Sequence, residues 1–364
     1  MALSIGSTSA FLAACGGSSG GSEGKVNVLS WISYVDPNVK KLWREANPDI
    51  EMVGIAAESD QDMFTKLKAG GASQYDVVFC NAGWAPEYRK SGLTDVIDVT
   101  KVKGADNLYP VFREDTSLPF IEEPDQVTMY PNMWATLSMT WNTTVPFVPT
   151  EPYSWDQMWS SEIPENHVMI MGAPDDAVAV AGFANGVPQD RIYSMEGAEL
   201  DQAAAKLKEL KPFQLNPSVN AQFRNAIKSE NAWIGLTSDL SAAPLINLEA
   251  EDDIAKSVVP KEGSVGWVDG PQLVEGAKNR ENALKFIDFF ASDPKLLEYL
   301  WKTYRFAQCN QKEVERILAA GGEDAAFLKS IDGDNPELAK ELAWQRRPDD
   351  PKAWASAWDT VQAT

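Results

Sequence analysis

Apolar and polar positions alternate between two periods along the chain. Val26, Val28 and Leu29 belong to an apolar run from Val26 to Trp31 that predicts a strand. Asp36 then offers a helix cap with Pro37 at the first helical position, and Val39, Leu42 and Trp43 fall on one helical face. Ile50 to Ala56 reads as a second strand. Ser59 with Asp62 reads as a capping box, opening a helix through Leu67 that stops at Gly70-Gly71. Tyr75 to Phe79 reads as a third strand, with the composition of one buried on both faces. Three strands separated by two helices predict a parallel, doubly wound sheet, whose ligands sit beyond the carboxyl ends of its strands. Those ends are Trp31 to Tyr34, Ala57-Glu58 and Cys80 to Trp84.

A second α/β region follows. Its strands are expected over Val168 to Met171, Ala232 to Leu236 and Ser264 to Asp269. Its helices are expected over Ala198 to Lys211 and Val219 to Ser229, with further helices from Asn282 to Tyr304. The tail from Gln311 reads as helical, with Trp344, Trp354 and Trp358 along it. The chain shows no internal repeat, no Walker sequence and no glycine fingerprint after a strand, so nucleotide chemistry has no support.

At 364 residues there is room for about two domains. Lys plus Arg is 32 against 53 Asp plus Glu, a formal net charge of −21. That excess argues against a nucleic-acid partner, whose phosphates need a basic face. It suits a cationic partner, and equally a solvated acidic surface. One histidine, His167, and three cysteines without a close pair rule out zinc ribbons, His-rich metal sites and disulfide-framework folds. No metal and no cofactor is expected. His167 begins an apolar run and reads as a strand-edge residue.

Residues 2–11 are small and mildly apolar, shorter than the ~20 residues a transmembrane helix needs. They run into Leu12-Ala13-Ala14-Cys15 and a Gly/Ser stretch ending at Gly24, which resembles a bacterial lipoprotein signal cut before a lipid-bearing Cys15. No Lys or Arg precedes Cys15, so Met1 reads as an internal or engineered start. The expectation is an exported protein outside the cytoplasmic membrane, anchored through lipid on Cys15.

Candidate chemistry collects at the strand ends. Trp31 and Tyr34 flank the first exit, Trp267 and Asp269 lie two apart and so point to the same side of a strand, and Asp175-Asp176 follows another strand. Aromatic faces and carboxylates together suit an ammonium group, through cation–π contact and charge-assisted hydrogen bonds.

Several segments carry a family resemblance: Val28-Leu29-Ser30-Trp31-Ile32-Ser33-Tyr34-Val35-Asp36-Pro37, Tyr75-Asp76-Val77-Val78, Ser154-Trp155-Asp156-Gln157-Met158-Trp159, and Val259 through Asp269. On these the chain resembles the bacterial extracellular solute-binding proteins that feed polyamine importers, the spermidine/putrescine-binding family. The resemblance implies an α/β fold of the two-lobed periplasmic-binding-protein type (type II-like). Each lobe is then a doubly wound sheet, and the ligand lies in a cleft that closes by a hinge. It divides the chain into a leader and tether (1–24), a first lobe (25–135 plus 270–312) and a second lobe (136–269 plus 313–364). The implied crossings fall near Trp134-Ala135, near Asp269-Gly270 and around Lys312.

By the same resemblance Trp31, Tyr34 and Trp267 form an aromatic box, Asp269 grips an amino group, Asp176 holds a terminal amine and Gln345 accepts from the other end. Departures from the pattern fall at Ala179, Ser238 and Phe306, where a carboxylate, an aromatic box member and a tyrosine are expected, and in Cys80 to Trp84, where a cleft serine and tyrosine are expected and the match slips by a residue. Asp239 and Glu58 are the acids available to replace the lost one. The implied function is the receptor of an ABC importer for a polyamine-like small organic cation, a monomer partnered by an ABC permease, with no catalysis. Within the fold the alternative solutes are a quaternary amine, an amino-acid derivative or a sugar; from another class, a secreted glycosidase would need paired carboxylates that the sequence does not display. Cys80 and Cys309 are expected near one another in the first lobe, either bridged, as an oxidising compartment favours, or as two buried free thiols acting as small hydrophobes.

Overall fold

The computed structural model describes residues 24–210, 213–216 and 220–363. The expected leader and the lipidation site Cys15 lie outside the described residues, as does Val219 at the start of an expected helix. Strands β1 (Lys25–Ser30), β2 (Glu51–Ala56) and β3 (Val77–Asn81) are all parallel, with β1 between the other two. The helix Pro37–Ala46 starts where Asp36 Oδ1 accepts from the backbone of Asn38 (2.7 Å) and Val39 (2.9 Å). The helix Asp60–Gly70 starts at Ser59, whose hydroxyl accepts from Asp62 N at 3.2 Å. The expected box is only half present: the Asp62 carboxylate reaches back to Glu58 N at 3.3 Å, one residue short of the cap.

A small sheet of β4 (Ile97–Asp98), β5 (Ile121–Glu123) and β6 (Gln126–Val127) follows. Next come β7 (Met133–Thr136) and β8 (Ser138–Asn142), with only Leu137 between them. That residue is a crossing point, because β7 belongs to the first large sheet and β8 to the second. The second sheet adds β9 (Val168–Met171), β10 (Gln214–Asn216), β11 (Ile234–Thr237) and β12 (Ala255–Val258), in the order β10-β9-β11-β8-β12. The chain returns through β13 (Ser264–Leu273), β14 (Ala307–Gln308) and β15 (Leu342–Trp344). The first sheet runs β14-β7-β13-β3-β1-β2, with β15 alongside the start of β13.

β13 is the central strand of the molecule. Its Val268 and Leu273 pack in the first core with Phe79, Phe286 and Phe290. Val265 and Trp267 pack in the second, with Met139, Trp155 and Trp354. A Cβ on Gly270 would sit 1.9 Å from the carbonyl oxygen of Tyr130, so only glycine permits the close approach just after Asp269. A third, smaller core of Met169, Met171, Phe223 and Ile246 backs the other face of the second sheet.

The tail departs from the expected helix. Helices Gln311–Ala320 and Gly322–Ser330 give way to β15, which pairs in parallel with Ser264–Gly266 before the last helix, Pro351–Gln362. Three residues are too few for a period to show in sequence, and the pairing partner lies far away along the chain. Val314, Ile317, Leu328 and Trp344 pack in the first core, whereas Trp354, Ala357 and Val361 pack in the second. Cys80 and Cys309 are both buried free thiols, the unbridged of the two arrangements the sequence allows. Cys80 Sγ instead lies 3.7 Å from Met129 Sδ, filling the core as a small hydrophobe.

Candidate functional site

The carboxyl ends of β1, β3 and β9 and the middle of β13 converge on a cleft of about 420 Å³. One wall is aromatic. Trp31 leaves β1, and the turn Ile32–Tyr34 folds Tyr34 back so that its ring stacks on Phe79 with centroids 4.5 Å apart. The Trp31 and Tyr34 rings meet edge to face at 6.1 Å. Trp267 comes from β13, held by its indole N–H donating to Ser238 O at 2.6 Å and by edge-to-face contact with Phe306 at 5.1 Å.

The acid of the cleft is a pair. Asp269 lies opposite Asn81 and Met133 in the antiparallel β13 ladders, so these three side chains share one face. Asn81 Nδ2 donates to Asp269 Oδ1 at 3.3 Å, and the Tyr34 hydroxyl donates to Asp269 Oδ2 at 3.4 Å. The backbone N–H of Asn81 donates to Asp60 Oδ1 at 2.8 Å, which brings a second carboxylate to the same spot. Burial pushes the Asp60 carboxyl up to about 7, only partly offset by the Asn81 N–H. Burial also pushes Asp269 well above the carboxylate range; the Asp60 charge adds to this, and the donors Asn81 and Tyr34 oppose it. Among the described residues no cationic side chain acts on either acid. The cleft therefore holds two carboxyls that ionise at a cost, which a nearby positive charge would relieve.

The structure brings together seven of the ten sequence-derived positions: Trp31, Tyr34, Trp267, Asp269, Ser238, Phe306 and Gln345 all line the cleft. Asp176 lies behind its rim. Its Oδ1 accepts from Gln345 Nε2 at 2.7 Å and its Oδ2 from Ala173 N at 3.0 Å, so these two residues satisfy each other. Burial pushes its carboxyl up to about 6 despite those donors. Gly172, at φ +124°, turns the chain over this carboxylate, where a Cβ would come within 2.9 Å of Oδ2. Asp239 is buried with its oxygens occupied by Ser238 Oγ (2.7 Å) and by the Ser241 hydroxyl and N–H (2.8 Å to the N–H). Glu58 is exposed and outside the lining, its backbone tied to Asp62. Neither therefore supplies a replacement carboxylate to the cleft.

Neither Asp60, which falls in the helix opened at Ser59, nor Asn81 by itself, which falls within the third strand's carboxyl end, Cys80 to Trp84, is singled out by the sequence. A wider groove, about 840 Å³, separates the helices Ala242–Ala250 and Gly322–Ser330. It is open, and its acids Glu251, Asp252, Asp253 and Glu323 share it with Lys256 and Arg305, so it carries cations of its own. The smaller, aromatic-walled cleft is the better binding site. Among the described residues there is no group of three or more His, Cys, Asp and Glu placed to hold a metal, and no helix long and apolar enough to cross a membrane.

A family profile described as bacterial extracellular solute-binding protein matches residues 40–315. The chain is 26% identical to the spermidine/putrescine-binding periplasmic protein of Salmonella typhimurium, over 71% of this chain and 70% of that one. It is 23% identical to the putrescine-binding periplasmic protein SpuD of Pseudomonas aeruginosa, over 93% and 92%. The crystal structure of the spermidine/putrescine ABC transporter substrate-binding protein PotD from Streptococcus pneumoniae superposes with a TM-score of 0.71 at 21% identity, covering 93% of this chain and 97% of that one. Likeness at that identity shows a shared fold, the two-lobed α/β architecture of periplasmic binding proteins.

Proposed function

The chain belongs to the bacterial extracellular solute-binding proteins, and on that premise we propose that it captures a polyamine-like small organic cation for an ABC importer. The observation that carries this reading is Asp269, a carboxylate on which no cationic side chain acts among the described residues, in a cleft it lines with Tyr34 and Trp267. Aromatic faces receive the ligand's methylenes and its charge, and the carboxylate takes its N–H donors. In this assignment Trp31, Tyr34 and Trp267 are the box, Ser238 and Phe306 its rim, and Gln345, in the lining, braces Asp176 behind the rim. The spermidine and putrescine named for the relatives are the first compounds to test.

We assign the first lobe to 25–136 with 264–344 and the second to 137–263 with 345–363, β13 forming the shared floor. This follows the membership of β13, β14 and β15 in the first sheet, with Val314, Ile317 and Leu328 in the first core and Trp354 onward in the second; Val265, Trp267 and Ala343 turn from that sheet into the second core. Lipid anchoring through Cys15, an exported location, a monomeric state, partnership with a permease and binding without catalysis belong to the same proposal. Native mass spectrometry of protein purified without refolding tests it. A retained small amine, released on denaturation, is the expected result. A retained hexose or carboxylic acid would overturn the cationic assignment.

A further inference from the structure

We infer that Asp60 is a second gripping acid of the cleft, and that Asp60, Asp269 and Asn81 form a single anionic pole selecting a cationic head that donates hydrogen bonds, an ammonium or guanidinium, over a quaternary one. The inference rests on the cation-binding reading above and specifies which cation. Asp60 opens the helix Asp60–Gly70 and lines the cleft beside Asn81. Asn81 is fixed from three sides: its Oδ1 accepts from Gly83 N at 2.9 Å, its backbone N–H holds Asp60 at 2.8 Å, and its amide holds Asp269 at 3.3 Å. One residue thus holds two carboxylates of the same cleft.

Among the described residues the opposite wall offers no comparable acid. Asp176 is engaged by Gln345 and Ala173 N, and Asp239 by Ser238 and Ser241. What faces the cleft from that side is Met171, Gly172, Asn220 and Ser238, none of them charged. An aromatic cleft with one carboxylate would suit a quaternary ammonium equally well, since cation–π attraction needs no donor. Two desolvated carboxylates change that balance. A trimethylated head presents only methyl groups, leaving their lone pairs without donors, whereas an ammonium or guanidinium reaches both at once.

Calorimetric titration with putrescine and with butyltrimethylammonium at pH 8, using the full chain and its Asp60→Asn, Asp269→Asn and Glu58→Gln variants, tests the assignment. The parent is expected to bind putrescine roughly a hundredfold more tightly than the quaternary probe, the weight of two charge-assisted hydrogen bonds. Asp60→Asn, isosteric and equally suited to a helix start, should weaken putrescine about tenfold or more and narrow the discrimination, while Glu58→Gln changes neither. An Asp60→Asn protein that binds putrescine within about threefold of the parent, with Asp269→Asn crippled, overturns the role of Asp60 and leaves the cation reading intact. Equal parent affinity for the two probes overturns the donor requirement without needing any variant. A parent that binds neither overturns the cation reading and this assignment with it.

Discussion

The Tyr34 hydroxyl and the Asp269 carboxylate meet at 3.4 Å, though 235 residues separate them in the chain. The contact joins the exit of the first strand to the middle of β13, so aromatic wall and acid are one assembly. Asp269→Asn should keep this geometry and lose the charge. Leaving a ligand ammonium without its buried partner costs about 3–5 kcal/mol, a loss of 10²-fold or more in affinity. Calorimetry with putrescine reads it directly, and unchanged affinity would remove Asp269 from the site.

Two tryptophans of the box should behave differently. Trp31 is partly buried and packs on Tyr34, so Trp31→Ala should weaken putrescine about 2- to 30-fold with little effect on the melting temperature. Trp267 is 8% exposed and belongs to the second core, so Trp267→Ala should lose affinity and about 3–5 kcal/mol of stability together. Paired titration and thermal melts separate the two outcomes.

The cleft acids set a pH dependence. Asp60 moves from 3.8 to about 7 and Asp269 shifts the same way, so the empty folded protein holds protons that the unfolded chain has released. Asp176, raised to about 6, adds to this. Stability of the ligand-free protein should therefore fall as pH rises from its acidic side toward 7, the reverse of a salt-bridged carboxylate. Cation affinity should rise over the same window, because the cation binds the deprotonated pair. Melting curves at pH 5.5 and 8, with and without putrescine, check both signs. A ligand-induced shift that is larger at pH 5.5 would contradict them.

The net charge of −21 should steer a cation toward the cleft. Stopped-flow association with putrescine should slow markedly between low salt and ~0.5 M salt, where screening acts within a few ångströms. A salt-independent on-rate would assign the acidic surface to solvation alone.

Both thiols should prove free and shielded. Burial raises the Cys80 and Cys309 thiols, so neither should react with alkylating reagent in the native state. In denaturant without reductant both should be modified. Finding them resistant there would restore the bridge that the structure lacks.

Much of this site was legible in sequence because it rests on short periods. The parallel β1–β3 unit follows from apolar strands spaced by capped helices, and the two-residue step from Trp267 to Asp269 alone puts both side chains on one face. Asp60 was hidden because its helix-start position explains an acid equally well; only the packing of that helix against Asn81 turns it inward. The Asp176–Gln345 contact joins residues 169 apart and depends on β15, a strand too short to show a pattern. Cys80 and Cys309 show the converse, where a redox expectation could not supply the geometry a bridge requires.

Titration of the ligand-free full chain with putrescine at pH 8 and low salt tests the central claim most directly. Saturable one-to-one binding with a Kd on the order of 1 μM or tighter is the expected result. Absence of binding up to ~1 mM, about 4 kcal/mol of affinity at most, would contradict a cation-binding cleft.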